Sequence, residues 1–316
     1  MSTIAIIGSG YMGGGIAQLF AIGGHEVRIA DVSADVTATN LVRIRQEAAA
    51  FEAEGLLPAG STAAVEARVH AAGSLEEAVA GADLVEEAVI EVLAVKHDVL
   101  GRASRANETA TIASNTSTIS IAAIAEGVHL PERFLGVHFS NPAPFIPGVE
   151  VIPHAGTQEE RIVQAEELVR GIGKTTARVG DVTGFVLNRL QYALFHEATQ
   201  LVEEGVASVE DIDTVVRTTF GYRLPFFGPF AIADMAGLDV YNFCYGSLQG
   251  GFPERFATPA ALTDLVAAGR LGVKAGGGFR ELDAERTAEL VAYRNKAYVA
   301  MQALLDELGP SPFDAR

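Results

Sequence analysis

His138 and Glu150 each stand as the one ionisable side chain in an apolar run, Leu135-Gly136-Val137-His138-Phe139 and Val149-Glu150-Val151-Ile152. Both runs read as short buried strands, where an unpaired charge costs on the order of several kcal/mol. If the two side chains face each other, each answers the other's desolvation. A carboxylate beside an imidazole stabilises the imidazolium and fixes its tautomer, so the pair would be a general base with its orienter, as proton removal from an alcohol requires. The alternative is a satisfied core histidine and an unrelated strand glutamate.

A second chemical signal opens the chain. Gly8-Ser9-Gly10-Tyr11-Met12-Gly13 follows the β-branched run Thr3-Ile4-Ala5-Ile6-Ile7 and precedes Met12, Ile16, Leu19 and Phe20 at helical spacing. Gly8 allows a tight turn, Gly10 lets a pyrophosphate approach the backbone, and Gly13 lets helix pack on strand. The phosphates would lie at the positive end of the helix. The next strand, His25 to Ala30, ends at Asp31, about 20 residues beyond Gly10, where a carboxylate accepts hydrogen bonds from an adenosine ribose. That charge would repel a 2′-phosphate, which favours NAD over NADP; an acidic turn cap is the alternative. Ser114-Asn115-Thr116-Ser117-Thr118 is a polar knot at the end of strand Thr111-Ile112-Ala113, and such ends line the ligand crevice of an open α/β sheet. Ser117 could equally be the N-cap of the helix carrying Ile121 and Ile124.

These residues need a scaffold of alternating strands and helices. The sheet is predicted to continue at Ala82 to Val89, with a helix from about Leu93 carrying Lys96, and to finish with a helix from Gln158 to Gly171 and a strand from Lys174 to Val179. The stretch Ala34 to Ala72, broken at Leu57-Pro58-Ala59-Gly60, reads as two helices projecting from the sheet. After Asp181-Val182-Thr183-Gly184 no strand pattern appears. A long helix, apolar nearly all round in its middle, runs from Phe185 to Val202 with Asn188 as its polar exception. Further helices are expected over Val209 to Thr219, Phe230 to Leu248, Pro259 to Ala268 and Ala284 to Leu308. The fold class is α/β: a Rossmann-type doubly wound, mostly parallel sheet followed by an all-α C-terminal domain. The expected domains are an NAD-binding one over residues 1–182 and a helical one over 183–316.

The 316 residues, 49% hydrophobic and 20% charged, describe an ordinary globular chain long enough for two domains. A net charge of −17 opposes nucleic acid and anionic membrane surfaces as partners. No apolar run is long enough to span a membrane, and no basic leader precedes the first strand, so a cytoplasmic protein is expected. Cys244, the single cysteine, has no thiol partner for a disulfide or metal site; the seven histidines form no HExxH, and no metal is expected.

Seven motifs occur in order: GSGYMGGGIA, EEAVIEVLAVK, SNTST, VHFSNP with VEVI, GFVLNRL, GPFAIADMAGLD and GVKAGGGF. On them the chain resembles the 3-hydroxyacyl-CoA dehydrogenase family over essentially its whole length. The resemblance implies reversible, NAD-dependent oxidation of a 3-hydroxy group to a ketone on a short-chain substrate, in fatty acid metabolism, by a homodimer joined through the C-terminal helices. It makes His138 the catalytic base, Glu150 its partner, and Ser117 and Asn188 the groups holding the substrate oxygen. It places the glycine loop (Gly8, Gly10, Tyr11, Met12, Gly13), Asp31, Glu91, Lys96, Ser117, Asn141 and Lys274 at the cofactor. Glu91, Asn141 and Lys274 come from the resemblance alone: by residue chemistry Glu91 and Lys96 are an ordinary pair near a helix start, and Lys274 a solvated loop cation.

Ile146-Pro147-Gly148 departs from the family's usual Met-Lys-Leu-type approach to the Val-Glu-Val strand, and two further departures bear on the substrate. Members acting on CoA thioesters commonly carry lysines on the projecting helices, whereas Ala34 to Ala72 has none, and its acids Asp35, Glu47, Glu52, Glu54 and Glu66 outnumber Arg43, Arg45 and Arg68. Conversely, Arg223 precedes Gly228-Pro229-Phe230, where the resemblance puts the wall of the substrate pocket. Arg223 could clamp a free carboxylate bidentately, as in relatives acting on free hydroxy acids, or simply pack on Tyr222. The readings are thus a thioester dehydrogenase, a dehydrogenase of a small free hydroxy acid, and a non-catalytic NADH-binding protein. A lysine-based 3-hydroxyisobutyrate type is disfavoured, because Lys174 begins a strand.

Overall fold

The computed structural model describes residues 1–312. Its contacts divide the chain into one unit ending at His196 and one beginning at Glu197. The first unit comprises β1 (Thr3–Ile7), α1 (Tyr11–Ile22), β2 (Glu26–Ala30), α2 (Ala34–Ala53), α3 (Ser61–Arg68), β3 (Val69–Ala71), α4 (Leu75–Val79), β4 (Leu84–Glu87), α5 (Leu93–Ala106), β5 (Thr111–Ser114), α6 (Ile121–Ala125), β6 (Phe134–Phe139), β7 (Gly148–Pro153), α7 (Glu159–Gly171) and β8 (Thr175–Arg178). Its strands form one eight-stranded sheet in the order β3-β2-β1-β4-β5-β6-β7-β8. All neighbours run parallel except β6 and β7. Strand order reverses between β1 and β4, where a doubly wound sheet opens its ligand crevice.

Parallel strands covered on both faces must be apolar throughout. In β1, Ile4 and Ile6 pack with Ile16 and Phe20 of α1, while Ala5 and Ile7 pack on the other face with Val79 and Leu100. The helices expected to project from the sheet instead lie on its core. Ile44 and Ala48 of α2 and Val65 of α3 are fully buried with Ile16 and Phe20. The same stretch ends in β3, an edge strand of three residues with one buried side chain, too short to carry a period-2 signal.

Glu86 breaks the apolar rule. It pairs in register with Ile6 and Ala113, is wholly buried, and neither carboxyl oxygen has a hydrogen-bond partner among the described residues. Burial pushes its pKa well above the usual carboxylate range, and the neighbouring Glu87 charge pushes the same way. The folded state therefore keeps a proton that the unfolded chain releases. This contribution to stability is fully present below the ordinary glutamate range and is lost as pH rises toward the raised folded value. Glu86→Met should accordingly stabilise the protein by about 1–3 kcal/mol, the usual cost of a buried, unpartnered polar group. The gain should grow with pH across that window in denaturant melts; a variant less stable than wild type at every pH would contradict the assignment.

Helix α8 (Leu187–Glu203) begins in the first unit and crosses the division, and none of its residues is buried. The second unit continues with α9 (Val209–Thr218), α10 (Pro229–Ala236), α11 (Leu238–Gly251), α12 (Ala260–Ala267) and α13 (Ala284–Leu308). One helix was expected from Phe230 to Leu248; the chain forms two, because Gly237 adopts φ 102°, a conformation that ends α10 and restarts the chain as α11. Ala233, Leu238 and Leu262 form a buried cluster in this unit. The buried Asp234 carboxylate accepts N–H groups of Phe279 at 2.8 Å and Arg280 at 3.2 Å, tying the glycine-rich loop to α10. No helix among the described residues is long and apolar enough to cross a membrane.

Candidate active site

The antiparallel pairing of β6 and β7 sets His138 directly opposite Glu150. The His138 Nδ1 lies 2.9 Å from Glu150 Oε2, and the two residues are 4% and 8% exposed. The other oxygen, Oε1, accepts the N–H groups of Val186 at 3.0 Å and Leu187 at 2.9 Å, orphan donors at the start of α8. Burial pushes the Glu150 carboxyl up, but hydrogen bonds from His138, Leu187 and Val186, with the imidazolium charge, outweigh it and hold the group below the usual range. An ionised carboxylate only accepts, so His138 Nδ1 carries the proton and Nε2 keeps its lone pair when the ring is neutral. The ring of the fully buried Phe185 packs 5.8 Å from that of His138. Phe185 holds φ 48°, a strained conformation for a residue with a side chain and a mark of over-determined sites.

The polar knot after β5 is organised by Glu91. Its Oε1 accepts Thr116 Oγ1 at 2.6 Å, Ser117 N at 2.8 Å, Thr118 N at 2.9 Å and Thr118 Oγ1 at 3.1 Å. Burial pushes this carboxyl up, yet the Thr116 and Thr118 bonds, the Lys96 charge and the Ser117 N–H bring it down to about 2. Lys96, 1% exposed, places Nζ 3.3 Å from Glu91 Oε2 and 2.8 Å from Glu87 Oε1. Glu87 Oε2 in turn accepts the Ser114 hydroxyl at 2.6 Å. The Glu91–Lys96 pairing is therefore one edge of a buried network that fixes the ends of β4 and β5. Asn188, on the first turn of α8, donates Nδ2 to Ser117 O at 2.8 Å, which joins the two residues expected to hold the substrate oxygen. The N-cap of α6 is Ser120, whose hydroxyl accepts the Ala123 N–H; Ser117 lies one turn earlier and is not the cap.

Asn141 is exposed just beyond β6. The loop after it is held from beneath by Lys174, which donates to the carbonyls of Ala143 at 2.6 Å, Ile146 at 2.8 Å and Pro144 at 3.1 Å. Asn115 Oδ1 accepts the Phe139 N–H at 2.7 Å, tying the knot to the strand of His138. Sequence reading gave no role to Lys174 or Glu87, and took Asn115 only as part of the polar run Ser114 to Thr118.

At the head of the sheet the glycine loop meets its steric requirements. A Cβ on Gly13 would lie 1.9 Å from Gly8 O, one on Gly8 would lie 2.6 Å from Ala88 O, and one on Gly10 would meet open space. Gly10 is the N-cap of α1, no side chain caps that terminus, and its first turn holds no acid. Tyr11 is 57% exposed, and Met12 packs against the core beneath. A cavity of about 700 Å³ runs from Gly8 and Gly10 past Asp31 and Val32 to Ala88 and Val89. Among the described residues no cation pairs with Asp31: Oδ2 accepts the Ser9 N–H and hydroxyl, both at 2.7 Å, and Oδ1 accepts the Val32 N–H at 2.8 Å. Arg102 also lines the cavity, but Glu76 holds its guanidinium at 2.9 Å. Free N–H donors, open space at Gly10 and a fixed carboxylate fit a dinucleotide with an unmodified adenosine ribose.

In the second unit Lys274 pairs with Asp239 at 2.6 Å. Arg223 closes the 3₁₀ turn Gly221–Arg223 in an exposed position, with no carboxylate partner among the described residues.

Residues 3–182 match the family model described as 3-hydroxyacyl-CoA dehydrogenase, NAD binding domain, and residues 184–282 match 3-hydroxyacyl-CoA dehydrogenase, C-terminal domain. The chain is 37% identical over 308 residues to 5-formyl-3-hydroxy-2-methylpyridine 4-carboxylate 5-dehydrogenase of Mesorhizobium japonicum, covering 96% of this chain and 98% of the relative. It is 36% identical over 287 residues to a probable 3-hydroxybutyryl-CoA dehydrogenase of Bacillus subtilis, covering 90% and 98%. The crystal structure of a 3-hydroxyacyl-CoA dehydrogenase from Archaeoglobus fulgidus superposes with a TM-score of 0.80 at 32% identity, covering 98% of this chain and 99% of that one.

Proposed function

The chain belongs to the 3-hydroxyacyl-CoA dehydrogenase family, and from that premise we propose how its residues divide the work of oxidising a secondary alcohol. It is an NAD-dependent dehydrogenase acting on a CH–OH group. Bound NAD supplies the hydride acceptor at its nicotinamide ring. His138 takes the hydroxyl proton at Nε2, and Glu150 stabilises the imidazolium that results; in the reverse direction the protonated ring returns the proton. Ser117 and Asn188 hold the substrate oxygen as charge develops on it. The loop Gly8, Gly10, Tyr11, Met12 and Gly13 takes the diphosphate and Asp31 the adenosine ribose. Glu91, Ser117, Asn141 and Lys274 complete the cofactor contacts, with Lys96 acting through the carboxylate of Glu91.

The buried His138–Glu150 pair carries this reading, because its carboxylate has every oxygen engaged and leaves one imidazole nitrogen for a proton. We assign residues 1–182 to cofactor binding and 183–316 to substrate binding and dimerisation, in a cytoplasmic homodimer of fatty acid metabolism. The test is NADH formation from a short-chain 3-hydroxyacyl-CoA by the purified protein. Tight NADH binding without turnover of any hydroxy acid or thioester would revert the assignment to a non-catalytic NADH-binding protein.

A second substrate reading rests on where the cations are. Arg43 is committed to the Ser9 and Gly10 carbonyls and to Glu47, and Arg45 to the carbonyls of Glu66 and Val69. Of the cations on α2 and α3 that leaves Arg68 alone for the phosphates of CoA among the described residues, while Arg223 has no carboxylate partner among them. A small free hydroxy acid held by Arg223 fits this distribution. Arg223→Ala should then raise KM for a free hydroxy acid by about 10- to 100-fold, the worth of a charge-assisted hydrogen bond, and leave KM for the thioester within about threefold. Equal effects on both substrates would remove the carboxylate clamp from the assignment.

A further inference from the structure

Behind the glycine loop stand the side chains of Asn40, Arg43 and Glu47 from α2. Ser9 is fully buried, and its N–H and hydroxyl both donate to Asp31 Oδ2 at 2.7 Å. Having given its proton to Asp31, the Ser9 oxygen accepts Asn40 Nδ2 at 2.9 Å. One turn along α2, Arg43 Nη2 donates to Ser9 O at 2.8 Å and Gly10 O at 3.0 Å. Its Nη1 is fixed by Glu47 Oε1 at 2.7 Å and Oε2 at 2.9 Å. The guanidinium lies close to α1, where a Cβ on Gly14 would sit 3.0 Å from Nη2. With Glu47 offsetting its charge, Arg43 holds the loop and is not itself a phosphate ligand.

We infer that Ser9, Asn40 and Arg43 form a two-part lock on the cofactor site: Ser9 with Asn40 fixes the Asp31 carboxylate and sets the preference for NAD over NADP, and Arg43 fixes the loop that receives the diphosphate. The inference rests on the assignment of Asp31 to the adenosine ribose. A carboxylate that could rotate would relieve its repulsion of a 2′-phosphate by turning away. Here rotation breaks the two bonds from Ser9 and the one from Val32 N, so the charge stays where the extra phosphate would lie. Arg43 acts on what the two cofactors share. By holding the Ser9 and Gly10 carbonyls it keeps two acceptors, which would repel a diphosphate, on its own side of the loop and leaves the N–H groups of α1 to the ligand.

The two halves predict different signatures, read from NADH and NADPH dissociation constants by fluorescence titration of the full chain. Ser9→Ala removes one bond to the carboxylate and leaves the Asn40 donor unpaired. It should weaken NADH about tenfold and NADPH less than threefold, compressing the discrimination. Asn40→Ala, a mild change on a helix, should compress it in the same direction by about threefold, which keeps the test valid if Ser9→Ala folds poorly. Arg43→Met should weaken both cofactors equally, by about tenfold, raising KM for NAD with kcat at saturating NAD within about twofold. Asp31→Asn separates the two layers. If it leaves the NADH to NADPH ratio unchanged, the ribose assignment fails; if it compresses the ratio while Ser9→Ala and Asn40→Ala do not, the lock is overturned. A merely structural role would lower the melting temperature of the Ser9 and Asn40 variants with no change in the ratio, and that of Arg43→Met with both dissociation constants within about twofold of wild type.

Discussion

Replacing His138 by alanine or glutamine is expected to lower kcat by about 10²- to 10⁴-fold, the usual contribution of a positioned general base, while NADH binding stays within about threefold of wild type. The two variants separate chemistry from packing. Alanine leaves Glu150 Oε2 without its 2.9 Å partner in a site where that carboxylate is 8% exposed, so it should also cost stability. Glutamine can still donate to Glu150 but offers no nitrogen that accepts a proton near neutral pH. Equal losses of turnover from both, with a lower melting temperature for alanine only, would place the effect in proton transfer. Stopped-flow single turnovers measure it directly. Turnover within tenfold of wild type in His138→Gln would leave the proposed chemistry without its base.

What made this pair legible in sequence is the rule that a polar residue in an apolar strand needs a reason. His138 and Glu150 are each flanked by residues that enter the core, and the antiparallel turn between β6 and β7 turns that shared oddity into contact. The same rule points to Glu86, where it leads to no hydrogen-bond partner among the described residues. The glycine loop and Asp31 were legible for a different reason: their constraint is local, set by turn, backbone approach and strand end within about 25 residues. Glu91 was not legible from its neighbours, since its four bonds come from Thr116, Ser117 and Thr118 on another strand end, and only the family resemblance pointed to it. The Ser9–Asn40–Arg43 arrangement is likewise tertiary. On α2 the two side chains are three residues apart on a helix whose sequence reads as projecting from the sheet. Where the reading erred, in merging α10 with α11 and in missing β3, one glycine conformation or one short edge strand outweighed a periodicity that local sequence otherwise supported.

Glu150→Gln is expected to reduce kcat by about 10³- to 10⁴-fold with little change in side-chain volume, because it inverts the hydrogen-bond logic on which His138 depends. The carboxylate accepts at both oxygens, from Nδ1 of His138 and from the N–H groups of Val186 and Leu187. A glutamine has one acceptor to offer. If its oxygen stays on the α8 N–H groups, its NH₂ faces Nδ1, which must then become the acceptor; the ring proton moves to Nε2 and the base is blocked by its own hydrogen. A tautomer inverted by an amide in place of a buried carboxylate costs about 10⁴ in a comparable triad. If the amide turns the other way, donors oppose donors at the start of α8, and the loss appears as a lower melting temperature. The pH dependence adds a second check. Burial raises the Glu150 pKa, its hydrogen bonds more than reverse that, and the folded value ends below the ordinary carboxylate range. Its contribution to stability is therefore present above that range and lost as pH falls through the depressed folded value. The stability difference between wild type and Glu150→Gln should shrink as pH is lowered through that window, and turnover should stay low at every pH because no titration restores the acceptor. A variant that regains wild-type kcat at any pH would mean that His138 holds its working tautomer without Glu150.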